Sequence, residues 1–227
     1  EIIVTSDINL TVNGTFNNVT DYDRDTSDPD LVTYLTLDSD SNDLTGRNNA
    51  INEDGSVYDI IGVNESSYLN GNQYLNITNH SSLNSENFSV GFWFKVPDIT
   101  RTQILMSKTL TNGWNSGWRL FIQGGGLNVL EFDSFNEVGN LRTGTLNSNQ
   151  WYYVSVTYND TNQDAELYLD GQRITNTSGT DMQNDNDNEI YIGRQSSATK
   201  LDGWMDEIKI YNTTRTKEQI NTDMRKS

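Results

Sequence analysis

The stretch WYYVSVTYNDTNQDAELYLDGQRI, residues 151–174, restricts this chain more than any other. Tyr152, Val154, Val156 and Tyr158 fall on one face of an extended segment, and Trp151, Tyr153, Ser155 and Thr157 on the other. Period-two alternation of β-branched and aromatic residues is the pattern of a half-buried strand. Polar residues 159–163 make a turn, after which Ala165, Leu167 and Leu169 alternate against Glu166, Tyr168 and Asp170. Asp170-Gly171 then suits a type I′ turn, in which both central residues need φ > 0. Two hairpins in one run set an all-β frame for the rest.

Other runs repeat the pattern. LVTYLTL (31–37), residues 57–63, 73–77, 103–107, 118–123, 128–133, 189–193 and 203–211 all read as strands. FSVGFWFKV (88–96) is the strongest, with Phe88, Val90, Phe92, Phe94 and Val96 on one face and Pro97 ending it. About twelve short strands separated by polar turns predict a two-sheet antiparallel β-sandwich, a jelly roll. Thr216-Lys217-Glu218-Gln219 fits a capping box and predicts a short C-terminal helix. Residues 1–28 stand apart. Ile8, Leu10, Val12 and Phe16 alternate, predicting a strand near 7–17, and DYDRDTSDPD (21–30) reads as an acidic linker. The chain thus divides into 1–28, with a strand available for donation to a neighbour's sheet edge, and a jelly-roll domain at 29–227.

Composition removes several chemistries. There is no cysteine, and His80 is the single histidine, which removes thiol catalysis, most Ser-His arrangements and any multi-histidine zinc site. No apolar run is long enough to span a bilayer as a helix. The net charge of −17 argues against nucleic acid and acidic membrane surfaces as partners. Asp exceeds Glu and Arg exceeds Lys, a balance that fits adaptation to high salt, where the Debye length is short. The chain begins at Glu1 rather than Met, which reads as processing or excision from a longer protein and fits an extracellular or cell-surface location.

Five stretches occur in a familiar order: LVTYLTL with DLTGRNNA, FSVGFWFKV with Trp93, WYYVSVTYN with LYLDGQRI, IYIGR, and GWMDEIKIYNTTRTKEQI. Together they resemble the laminin G-like jelly-roll family, within the concanavalin A-like lectin/glucanase fold, over about residues 29–225. The resemblance implies two antiparallel sheets packed face to face. It further implies a ligand-binding or adhesive role on cell surfaces or in secreted proteins, and a calcium ion in many members.

Strand parity aligns Asp206 with Ile208 and Ile210, giving an inward carboxylate that needs a partner. Ca²⁺ is one such partner, with Asp38, Asp43 and Asn48 as co-ligands because the resemblance brings that turn near the closing strand. A hydrogen-bonded Asp at a strand bulge, with no metal, is the other reading. Trp114 lies in TNGWNSGW, where its ring, with Asn112, Asn115 and Arg119, offers contacts to a sugar or a protein surface; Trp118 reads as core. Glu131, Asp133 and Glu137 resemble the carboxylate run of laminarinase-type relatives, but EFDSFNE has one residue too many, so they read as an acidic outward face. N-x-[ST] sequons fall at Asn9, Asn13, Asn18, Asn64, Asn76, Asn79, Asn87, Asn159, Asn176 and Asn212, candidates for glycosylation of an exported protein.

The expected function is a non-catalytic extracellular recognition or adhesion module that binds a glycan or a cell-surface protein through loops at one sandwich end. The alternative is a structural subunit of a filament or surface layer, self-assembling through residues 1–28; a glycoside hydrolase is the remote third. High-salt adaptation predicts that the unfolding midpoint falls sharply as NaCl is withdrawn, and a midpoint unchanged at low salt would exclude it.

Overall fold

The computed structural model describes residues 24–38, 40–53, 57–61, 64–109, 116–135, 140–179, 181–182, 184, 186–195 and 200–225. Alternation sorts each strand into an inward and an outward face, and the inward faces of two sheets meet. In chain order the strands are β1 (Leu31–Leu35), β2 (Ala50–Glu53), β3 (Val57–Ile61), β4 (Asn64–Asn70), β5 (Tyr74–Ile77), β6 (Phe88–Lys95), β7 (Gln103–Lys108) and β8 (Trp118–Gln123). There follow β9 (Val129–Ser134), β10 (Leu141–Thr145), β11 (Trp151–Asn159), β12 (Asp164–Leu169), β13 (Gln172–Thr177), β14 (Ile190–Ile192), β15 (Asp202–Tyr211) and the helix α1 (Lys217–Arg225). Eight strands form sheet A, in the order β13-β12-β11-β6-β15-β4-β3 with β1 also on β15. Seven form sheet B, in the order β10-β9-β8-β7-β14-β5-β2, and every pairing is antiparallel. This is the expected two-sheet sandwich with a terminal helix.

One core fills the space between the sheets. Phe88, Val90, Phe92 and Phe94 of β6 enter it with Tyr152, Val154, Val156 and Tyr158 of β11 and Leu120 and Ile122 of β8. Each such side chain contributes about 1.5–3 kcal/mol on burial. Trp118 is core, as its strand position predicts: it stacks on Phe88 at 5.5 Å and its Nε1–H donates to Asn184 Oδ1 at 2.8 Å. The β12–β13 turn has φ of 49° at Asp170 and 72° at Gly171, the left-handed pair that a type I′ turn demands. The Asp170 N–H donates to the Tyr153 carbonyl at 2.8 Å, and the Tyr153 N–H donates to Asp170 Oδ1 at 2.8 Å.

The structure departs from the expected parity in β15. The first part of this strand, through Met205, pairs with β4, whereas Ile208 to Tyr211 pair with β1, along the same edge. A register shift against β6 between Asp206 and Lys209, with Glu207 at φ 52°, marks a bulge. Met205, Ile208 and Ile210 all lie in the core. One extra residue therefore turns Asp206 to the outward face, opposite Ile208, and the inward carboxylate is corrected.

The capping box forms as read: the Gln219 N–H donates to Thr216 Oγ1 at 3.3 Å, and the Thr216 N–H donates to Gln219 Oε1 at 2.8 Å. The helix covers the outer face of sheet A, where Ile220 and Met224 pack with Tyr153, Tyr168 and Trp93. Residues 24–28 lie against the same side, tied by Arg24 to Asp38 and by Asp28 to Arg215 Nη1 at 2.6 Å. The strand expected near 7–17, its donation to a neighbour and Asn9, Asn13 and Asn18 lie outside the described residues.

Gly171 joins turn to helix, because a Cβ there would sit 2.1 Å from Asn221 Oδ1 on α1. Gly171→Ala combines that clash with a strained φ, and is expected to lower stability by about 1–2 kcal/mol in denaturant unfolding.

Candidate functional site

The residues nominated for calcium fall into two pairs, Asp43 with Asn48 and Asp206 with Asp38. Asp43 Oδ1 accepts the Tyr34 and Thr45 N–H groups at 2.7 and 2.9 Å. Its Oδ2 accepts the Thr45 hydroxyl at 2.5 Å and the Arg47 and Asn48 N–H groups at 3.0 and 2.8 Å. A carboxylate with five donors has no lone pair left for a cation. Asn48 turns its Nδ2 to the Val32 carbonyl at 2.6 Å, so Asp43 and Asn48 organise the turn after β1. Asp38 is held by Arg24. As a set the four do not fit a calcium ion, and among the described residues no group of three or more His, Asp or Glu side chains is disposed to hold a metal.

Asp206 lies beside Glu207 and Asp38 on the outer face of sheet A, buried, with Oδ1 lacking a hydrogen-bond partner. Burial, then repulsion from Glu207 and Asp38, raises its pKa from 3.8 to about 8. A proton thus does for this carboxyl what a partner cation would. Glu207 is raised too, by burial, against the opposing pull of the Tyr34 hydroxyl, Lys209 and Arg24.

A second surface gathers more of the nominated residues. The outward face of sheet B carries a row in register across six strands: Asp133, Arg119, Ser107, Tyr191, Asn76 and Ile51. Their sequence neighbours Leu120, Ile190, Ile192, Leu75 and Ile77 point into the core. Within the row Ser107, Tyr191 and Asp133 are buried, Arg119 and Asn76 are half-buried, and Ile51 is exposed. Arg119 donates from Nε and Nη2 to the two oxygens of Asp133 at 2.8 and 2.9 Å, and from Nη1 to Gln195 Oε1 at 3.1 Å. Its guanidinium also lies 4.4 Å from the Phe121 ring centroid. One level along, Arg142 grips Glu131 through Nε and Nη2 at 2.8 and 3.1 Å. Burial raises the Asp133 pKa, opposed by Arg119. Tyr191 donates its hydroxyl to Glu189 at 2.6 Å, and Arg194 stacks 4.0 Å from the Tyr74 centroid.

Of the nominated ligand residues, Arg119 is placed on this face. Asn112, Trp114, Asn115 and Glu137 lie outside the described residues. Among the sequons, Asn176 is exposed on the edge strand β13, and Asn76 is half-buried on the outer face of sheet B, donating to Glu189 at 3.2 Å. Asn79, Asn87, Asn159 and Asn212 are half-buried, and the Asn64 side chain is outside the described residues. Tyr74, Tyr191, Arg194 and Gln195 were missed from sequence, although Tyr191 between two core isoleucines is a period-two signal that could have found them.

The chain belongs to the concanavalin A-like lectin/glucanases superfamily, whose Laminin_G_3 family matches residues 69–221. It is 24% identical over 207 residues to the non-toxic nonhemagglutinin type A of Clostridium botulinum strain Kyoto, covering 87% of this chain and 17% of that protein. It thus spans about a sixth of the length of that curated relative. Among solved structures it is similar to domain 4 of AbnA, an extracellular arabinanase of Geobacillus stearothermophilus, in complex with arabinotriose. That match has a TM-score of 0.68 at 18% identity and covers 85% of this chain and 97% of that one. The binding domain of botulinum neurotoxin DC in complex with rat synaptotagmin II aligns with a TM-score of 0.69 at 16% identity, over 87% and 52%.

Asp206 makes stability depend on pH. Between about pH 4 and 8 the folded chain holds a proton at this site that the unfolded chain releases, so its contribution weakens as pH rises through that window. Asp206→Asn, which imitates the protonated form, is expected to raise the unfolding midpoint at pH 9 and to leave it nearly unchanged at pH 4. An equal effect at both would exclude the buried proton.

Proposed function

We propose that this domain is a non-catalytic recognition module that binds a saccharide on the outer face of sheet B. The observation that supports this most is the six-strand row of polar and aromatic side chains through Arg119 and Tyr191, set on a rigid sheet and reaching the surface at half-buried Arg119, Asn76, Tyr74 and Arg194. Glycoside hydrolysis requires one protonated and one available carboxyl. Here Glu131 and Asp133 are each clamped by an arginine fork, which holds them as scaffold. The arabinotriose bound by the arabinanase domain and the synaptotagmin bound by the neurotoxin domain support a binding role, the first for a glycan and the second for a protein surface. An extracellular site of action accords with the extracellular arabinanase. Asn112, Trp114 and Asn115, which lie between β7 and β8 in sequence, stay candidates for ligand contact.

Binding of the intact domain to an array of polysaccharides is expected to retain neutral or acidic glycans, with no release of reducing ends. Arg119→Ala is expected to weaken retention about tenfold or more, since it also frees Asp133 as a repulsive charge. Turnover of any polysaccharide that is abolished by Glu131→Gln would overturn the non-catalytic reading.

A further inference from the structure

Arginines on the outer face of sheet B differ in one respect. Arg119 and Arg142 each carry a carboxylate counter-ion in a two-pronged grip. Arg194, at the β14 end of the same face, pairs with no carboxylate among the described residues. Its guanidinium carbon instead lies 4.0 Å from the Tyr74 ring centroid and 5.1 Å from that of Tyr191, and its Nε is buried without a hydrogen-bond partner. Lys200 joins it across an isolated β-bridge. The Lys200 Nζ stands 5.9 Å from the same Tyr74 ring, and its hydrogen bond goes to the Asn72 carbonyl at 2.7 Å. Glu189, the nearby acid, is occupied by the Tyr191 hydroxyl at 2.6 Å and by Asn76 at 3.2 Å. Glu53 stands opposite Tyr74 in the β2–β5 register, and residues 196–199 read Ser-Ser-Ala-Thr and add no charge. Two cations without a carboxylate counter-ion among the described residues, on one aromatic platform, stand out on a chain of net charge −17.

We propose that Arg194 and Lys200, backed by Tyr74, form a subsite for the carboxylate of an acidic saccharide. The inference rests on the saccharide-binding reading of this face. A guanidinium fork matches the two oxygens of a carboxylate, and Arg194 is already desolvated on one side by two tyrosine rings, so little reorganisation accompanies binding. The ammonium of Lys200 adds a point charge from the flank, while the exposed part of Tyr74 offers a face to the sugar ring. Arg119 and its carboxylate, two strands away, supply hydroxyl recognition but no net charge.

The test is calorimetric titration of the intact domain with three probes: a hexuronic acid oligosaccharide, its methyl ester and a sulfated oligosaccharide of equal length. The acid is expected to bind about tenfold or more tightly than the ester, and Arg194→Gln to remove that difference. Arg194→Lys is expected to restore only part of it, since a point charge replaces a fork. Lys200→Gln, which gives up one exposed hydrogen bond, is expected to weaken the acid several-fold with an unchanged melting temperature, and it decides the matter if Arg194→Gln fails to fold. Equal affinity for the sulfated probe would overturn the carboxylate assignment. Binding of acid and ester alike, or binding indifferent to Arg194 and Lys200, would overturn the subsite and leave the recognition-module reading standing. Failure of every neutral and acidic saccharide to bind would overturn both.

Discussion

One strand holds two others on a single edge, and the sandwich depends on how it does so. The ten residues of β15 pair with β6 along one side, and with β4 and then β1 along the other. A regular strand would carry one set of side chains inward throughout. The bulge at Asp206–Glu207 adds a residue, so that both Met205 and Ile208 reach the core. It requires Glu207 at φ 52° and leaves two carboxyls on the outer face, where Tyr34, Arg24 and a retained proton answer them. The acidic cluster is thus a consequence of strand geometry before it is anything else.

The two sheets then diverge in what they present. Sheet A is closed over by α1 and by residues 24–28, and its remaining outer face is a ladder of Tyr68, Trp204, Lys95 and Trp151 in register. The Lys95 ammonium lies 4.3 Å from the Trp204 ring and 5.1 Å from Trp151, and Tyr68 stacks on Trp204 at 4.7 Å. These rings are spent on each other. Sheet B spends its arginines on its carboxylates at the β8–β10 end and, among the described residues, leaves charge uncompensated at the β14 end. Electrostatic complementarity of that kind governs which partner is accepted more than how strongly the sheet folds.

Local signals in the chain carried most of the fold. Alternation located β6, β8, β11, β12 and β15, Asp170-Gly171 gave its turn, and Thr216 with Gln219 gave the helix start. β4 escaped because NESSYLN opens on four polar residues and offers only Tyr68 and Leu69 as apolar signal, yet Ser66 and Ser67 are buried by pairing on both sides rather than by their own hydrophobicity. β10 escaped as an edge strand with alternate residues exposed. Asp206 was misread because period-two reasoning cannot see an inserted residue, and a φ above zero at a glutamate leaves no mark in composition. Asp43 was misread for a related reason: DLTGRN folds its own backbone donors onto the carboxylate, and only three-dimensional closure reveals that saturation. Arg119 was found through its loop, but its strand mates were not, since a shared sheet face joins residues distant in sequence.

The C-terminal helix is nine residues long, short for independent stability, and its seat is made by Arg215, Asp223 and Tyr211. Beneath it lie Tyr153, Tyr168 and Trp93 on a sheet that is otherwise complete. A chain clipped before Thr216 would therefore keep its sandwich core and bare a contiguous aromatic patch. Loss of the helix would register as self-association of folded molecules, so this segment acts as a guard of solubility.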